Sequence, residues 1–443
     1  MSDLPFGFGM PGPESGKPFD MNQLGAALQQ IGAMLQSGSQ FGAQGGSADQ
    51  GPVNWSMVND VARKALVASG DPVVAEAEQR AVVDAMRLAD VWLDSVVTFP
   101  ATTAPAVAWS RSEWLEATLP AWKVIVAPIA EQMQQAVSKQ GGGAFDLESL
   151  QANLPEQLRS MLPDGIPPEM AQMLQPMMAM AQQLSVVAFS GQLGQALAAL
   201  ASDVVSASEI GIPLTEMAVC ALVPANVTQF GSGLGVPVDD VRLYLALRES
   251  AHQRLFAHVP WLRPRVIGAV EAYAKGMTVD SERLQSAMGD VDFNDPEALQ
   301  QLMSAGLMKP EDTAEQRAAL ARLETLLALV EGWVDDVVDS AIAERMTSAV
   351  QLRETMRRRR AAGGPAERTF ATLVGMELRP RLLREAATLF AVVRAGRGVE
   401  ERDALWAHPD LLPSPDDLAD PLGFIEVSAQ EFELPPSDDD ATE

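Results

Sequence analysis

The run Arg248-Glu249-Ser250-Ala251-His252 has most of the residue types and the spacing of a hydrolytic metal helix. In an H-E-x-x-H helix two histidines one turn apart share a face and bind zinc, and the glutamate beside the first polarises a metal-bound water. Glu249 and His252 stand at the required offset, and Arg248 occupies the place of the first histidine. A guanidinium offers no lone pair and keeps its charge, so Arg248 cannot be a zinc ligand.

Two sources could supply a further ligand. His258 lies six residues after His252, the spacing of an extended metzincin motif, but that motif needs a turn-making glycine where this chain has Leu255. The other source is Glu331-Gly332-Trp333-Val334-Asp335. In gluzincin peptidases a Glu-x-x-x-Asp spacing gives a ligand glutamate and, one turn on, an orienting carboxylate. Glu331 is the favoured third ligand and Asp335 its support, with Glu271, nineteen residues after His252, in reserve. The same residues admit a reading without metal. Arg248 could pair with Glu331 or Asp335 between two helices, its fixed charge standing where the metal would be. His408, in Trp406-Ala407-His408-Pro409, reads as a packed residue rather than a ligand.

Helices must position these groups. Trp55, Val58, Val61, Ala62, Ala65 and Leu66 recur at helical spacing after Pro52. A second helix is expected over 71–97, opening at Pro72, and a third over 112–137, bent or divided by Pro120 and Pro128. The apolar run 177–200 is interrupted by Gln182, Gln183, Ser185, Ser190, Gln192 and Gln195, so it reads as a buried helix pair and not a membrane span. The motif stretch 238–273 is helical, and 313–343 makes a long helix with Leu320, Leu323, Leu327, Val330, Val334 and Val338 on one stripe. A last helix is expected over 365–394. Residues 204–223 are the best candidates for short strands. The glycines of Gly231-Ser232-Gly233-Leu234-Gly235 lack a dinucleotide fingerprint's third-glycine offset and read as a loop.

Composition narrows the partners. A net charge of −27 opposes bulk phosphate binding. The basic run Arg357-Arg358-Arg359-Arg360 has no interleaved aromatics and reads as a solvated face, so no nucleic-acid partner is expected. One cysteine, Cys220, excludes an intrachain disulfide or a Cys-rich zinc site. The N-terminus lacks a basic segment followed by an apolar one, and the expected location is cytoplasmic.

The strings LVPANVTQFGSGLGVP, VRLYLALRESAHQRLFAHVPWL, EGWVDDVVD, RRRRAAGGPAERTFATLVGMELRPRLLREA and RDALWAHPDLLPSPDDLADP together resemble the zincin-like hydrolases of actinobacteria, often labelled zinc-dependent metalloproteases. The resemblance runs over most of 55–425. It implies a mainly α, zincin-like helical bundle with a minor β element near 204–223. By position it implies zinc as cofactor, a catalytic-base role for Glu249 and ligand roles for His252 and Glu331. The branch this chain resembles has lost the first histidine, here to Arg248. The expected organisation is a Gly/Pro-rich disordered segment (1–52), helical regions at 53–140 and 141–203, the second rich in Met and Pro, a zincin-like core (204–400) and an acidic, extended tail (401–443). Two functions follow: a metallohydrolase acting on peptides, or a catalytically inactive scaffold that binds a protein through its Met-rich segment or acidic tail.

Overall fold

Apolar residues spaced three and four apart set the outer helices, and two helices buried on every side set the centre. The computed structural model describes residues 51–143, 168–215, 217–275, 313–364 and 382–431. Several expectations fall outside these residues: the segment through residue 50, the Pro-rich stretch 144–167, the start of the 365–394 helix, the tail beyond 431 and the side chains of the Met-rich run at 177–180. Every described residue belongs to one compact unit, Gly51–Glu443.

Helix α1 (Trp55–Ser69) buries Val58, Ala62 and Leu66 and is capped by Asn54, whose Oδ1 accepts from Met57 N at 2.9 Å. Helix α2 starts later than Pro72 suggests, spanning Glu76–Leu93, with Val82, Met86, Ala89 and Leu93 buried. Strand β1 (Ala106–Ala108) precedes α3 (Arg111–Gly143), which runs unbroken past Pro120 and Pro128. The expected division there does not occur, and the buried face of Trp114, Leu115, Trp122, Ile125 and Ile129 supplies burial to offset two lost backbone bonds. The expected helix pair is likewise one helix, α4 (Pro168–Asp203).

The β element is small. Strand β2 (Cys220–Leu222) pairs in parallel with β1, Ala106 opposite Cys220 and Ala108 opposite Leu222, and Ser206 bridges Leu222 in antiparallel fashion. The 204–223 region thus holds one strand of the sheet, and its partner lies more than a hundred residues earlier. The short α5 (Pro224–Gly231) then leads to the motif helix α6 (Val238–His258). From Tyr244 to Leu255 every residue of α6 is buried. A turn at Val259 separates it from α7 (Leu262–Lys275). Helix α8 (Ala314–Ile342), capped by Thr313 and Gln316 acting on each other's backbone, is buried without a gap from Leu326 to Val338. The charged side chains within these two buried stretches therefore turn inward.

Helix α9 (Ala349–Ala361) and α10 (Leu383–Arg397) follow, α10 packing along α8. The chain beyond 400, expected to be extended, is folded through residue 431 as α11 (Val399–Ala404), a 3-10 turn (Pro409–Leu411), α12 (Pro415–Ala419) and α13 (Pro421–Glu431). Trp406 explains the docking: it is buried with its ring 6.2 Å from both Trp261 and Phe390.

Gly332 fixes the distance between α8 and α10. A Cβ there would lie 2.6 Å from Ala386 Cβ and 2.7 Å from Ala387 N, and backbone cannot swing aside. Gly332→Ala should gain about 1 kcal/mol of helix propensity and lose about 1–3 kcal/mol to overpacking. We expect a net fall in the denaturant midpoint at unchanged slope, and a midpoint at or above that of the native protein would refute the close contact.

Candidate functional site

Arg248 and His252 sit one turn apart on α6, facing Glu331 and Asp335, one turn apart on α8. Arg248 spans both carboxylates: Nη2 donates to Glu331 Oε2 at 2.9 Å and Nη1 to Asp335 Oδ1 at 2.6 Å. His252 takes the other oxygen of Glu331, with Nε2 3.0 Å from Oε1, while its Nδ1 lies 2.9 Å from the Arg248 carbonyl. A carbonyl and an ionised carboxylate only accept, so both ring nitrogens of His252 face acceptors. A second guanidinium comes from α9. Arg360 pairs with Glu331 Oε2 and stands 3.8 Å from Asp335 Oδ1. The 204–214 segment closes the remaining side, where Gly211 has φ +73° and an added Cβ would meet Glu331 Oε1 at 3.2 Å.

Electrostatics follow from this packing. Burial alone would raise the Glu331 carboxyl, but Arg360, then His252 and Arg248, hold it well below the usual carboxylate range. Burial would also make Arg248 easier to discharge. Asp335, Tyr244 and Glu331 reverse that and keep the guanidinium charged.

Glu249, the expected base, is fully buried and turned to a different set of partners. Its Oε2 accepts from Ser208 N at 3.1 Å and Ser208 Oγ at 2.5 Å, and its Oε1 accepts from Gln253 Nε2 at 3.0 Å. Burial pushes its pKa up, and the Ser208 hydrogen bond offsets only part of that. His258 is exposed at the end of α6: its ring stacks on Phe99 at 5.6 Å and Nδ1 meets the Arg254 carbonyl at 2.8 Å. Six residues of helix carry it about 9 Å along the axis and off the His252 face, so it does not complete a site with His252. Glu271 is half-buried on α7. His408, expected to be packed, is exposed, its Nδ1 accepting from Asp410 N at 3.2 Å.

The basic run is not a solvated face. Arg359 pairs with Glu209 at 2.8 Å and Asp203 at 3.0 Å, Arg357 stands 3.8 Å from Asp339, and Arg360 enters the cluster. Only Arg358 is spent on an exposed neighbour, Glu354. Arg360, Ser208 and Gly211 are the residues that sequence reasoning missed. One signal was available for Arg360: Arg353, Arg357 and Arg360 repeat at helical spacing, as do Glu331, Asp335 and Asp339.

Zinc does not fit this donor set. A ligand histidine needs a free nitrogen lone pair, and both nitrogens of His252 face acceptors; a ligand carboxylate needs an uncommitted oxygen, and Glu331 has one oxygen on His252 and the other on two arginines. Among the described residues no three His, Cys, Asp or Glu side chains are grouped to hold a metal ion.

Residues 53–425 match the sequence model of the zincin-like metallopeptidases. The fold is similar to a crystal structure from Chloroflexus aurantiacus, described as a "putative hydrolase with a novel fold", with a TM-score of 0.57 and 18% identity over 85% of this chain and 99% of that one. No curated protein matches the sequence.

The cluster sets two expectations for stability. Arg248→Met leaves Glu331 and Asp335 short of a cation in the interior and should cost about 3–5 kcal/mol in chemical denaturation. Arg358→Met, removing an exposed pair one helical turn long, should cost about 0.3–0.5 kcal/mol. Equal effects would show that the buried pairing carries no special weight. The second concerns pH. Because the folded carboxyl of Glu331 titrates below its unfolded value of about 4.3, its ionised form stabilises the fold above that pH and the contribution is lost as pH falls through the folded value. The stability gap between the native protein and Glu331→Gln should be widest near neutrality and close in acid; a gap that widens in acid would contradict the assignment.

Proposed function

The chain belongs to the zincin-like metallopeptidase family, and from that membership we propose that it is a peptidase-derived scaffold in which guanidinium charge stands in for catalytic zinc. One observation carries the reading: the Glu331 carboxylate is shared among Arg248, Arg360 and His252. Arg248 and Arg360 bring two positive charges, the formal charge of a zinc ion, to the carboxylate that would be a ligand. They can neutralise it, but they cannot activate a water.

The remaining groups fit the same reading. Glu249, by position the base, is buried and anchored to Ser208 and Gln253, so its role here is to hold the 204–214 segment against α6. His252 bridges the Arg248 carbonyl and Glu331 instead of serving as a ligand. Such a protein keeps the architecture of a metallopeptidase and acts by binding, with a protein or peptide as its partner.

Metal analysis of the purified full-length chain is the direct test. We expect substoichiometric zinc and an unchanged melting temperature on adding zinc; one zinc per chain, or a rise in melting temperature, would overturn the proposal. Restoring the motif separates the two arginines. Arg248→His alone should still fail to bind zinc, because Arg360 keeps Glu331, whereas Arg248→His combined with Arg360→Leu should bind it in a calorimetric titration. Binding by the single variant would show that Arg360 is no barrier.

A further inference from the structure

Helix α9 is attached to the protein in an unusual way for a segment that covers a buried site. Its apolar anchors are Leu352 and Met356, both buried, while Val350 is 67% exposed. Ala349 packs against the core and Gln351 donates to the Leu234 carbonyl, and most of the remaining seat is charge. Arg353 meets Asp339 on α8 at 3.0 Å with Arg357 at 3.8 Å from the same carboxylate, Arg359 reaches Glu209 and Asp203, and Arg360 reaches Glu331 and Asp335. These pairs run antiparallel along α8, from Arg360 at Glu331 to Arg353 at Asp339.

Two features leave the helix poorly supported otherwise. A pocket of about 240 Å³ lies along it, lined by Thr355 and Arg359 of α9 and by Asp203, Asn226, Gln229 and Phe230. At its end Gly363 takes φ +80°, a backbone state open to glycine and strained for other residues. At its start the tie is polar again, Ser348 Oγ donating to Asp240 Oδ2 at 2.6 Å.

We infer that α9 is a strap latched by ion pairs over the Arg248–Glu331 cluster, able to lift as a unit while α6 and α8 stay folded. Its outer latches, Arg353 and Arg357, are about one-third exposed and open to screening by salt, whereas Arg360 is the buried bolt. Lifting the strap withdraws Arg360 from Glu331 and exposes the cluster. Strap opening and metal occupancy are separate questions: the exchange experiment below decides the first whatever the zinc titration returns.

Hydrogen exchange by mass spectrometry on the full chain tests it, at low salt and at about 1 M NaCl, where the screening length falls to about 3 Å. Peptides covering 349–361 should exchange about tenfold faster in high salt while peptides covering 326–338 keep their rates. The double variant Arg353→Gln/Arg357→Gln should reproduce the acceleration at low salt with the denaturation midpoint of the body unchanged. Exchange over 349–361 that ignores salt, or that rises in step with 326–338, would overturn the latch. So would a double variant whose 349–361 amides stay as protected as in the native protein.

Discussion

A carboxylate taken out of water must be repaid in charge and hydrogen bonds, and in this protein that requirement falls on Glu331. It lies in the continuously buried middle of α8, where the apolar residues on either side give it no route to solvent. Its partners come from separate parts of the chain, Arg248 and His252 from α6 and Arg360 from α9, and the loop before β2 approaches it at Gly211, where a side chain would crowd the carboxylate. Their convergence fixes how these elements meet. Desolvating one carboxylate costs several kcal/mol, more than any single exposed pair returns, so the partners must be supplied together.

The same logic recurs one helical step away. Asp336 points to the other side of α8 and is paired with Arg394 of α10 at 3.0 Å and Arg402 of α11 at 2.9 Å. Arg402 in turn shares Asp403 with the Trp333 indole N–H and lies over the Trp333 ring, and Asp403 accepts from Thr98 N at 2.7 Å. Consecutive residues Asp335 and Asp336 thus tie α8 to α6 and α9 on one flank and to α10 and α11 on the other. Apolar burial supplies the drive to collapse. These pairings select which helices lie beside which, because a misregistered neighbour would leave a buried charge unpaired.

The helical architecture was legible because α1 and α8 carry apolar residues at helical spacing, and the cluster was legible in part because Arg248, Glu331 and Asp335 stand at the spacing of a metal-helix motif and its partner helix. Arg360 was not. Four consecutive arginines visit every side of a helix, so the run by itself does not say which guanidinium points inward; the answer lies in α8, whose acids at 331, 335 and 339 present one matching row. Strand β1 was hidden for a different reason. Ala106-Val107-Ala108 is three residues long, and only its pairing with Cys220–Leu222 makes it a strand. The expected breaks at Pro120 and Pro128 failed because local preference lost to tertiary burial along α3.

A metal in a zincin-type site does two separable things: it neutralises buried ligands, and it binds and activates an oxygen. Guanidinium groups can do the first. Arg248 spreads its charge over a planar fork that meets two carboxylates at once, a geometry that ties α6 to α8. They cannot do the second, having no vacant orbital to accept a water and no acidity to lend it. Under the proposed reading the fold needs no water beside Glu249, which is buried with its oxygens on Ser208 and Gln253. In the proposed scaffold, Arg248 preserves the structural half of the metal's role, and the fold makes no call on the catalytic half.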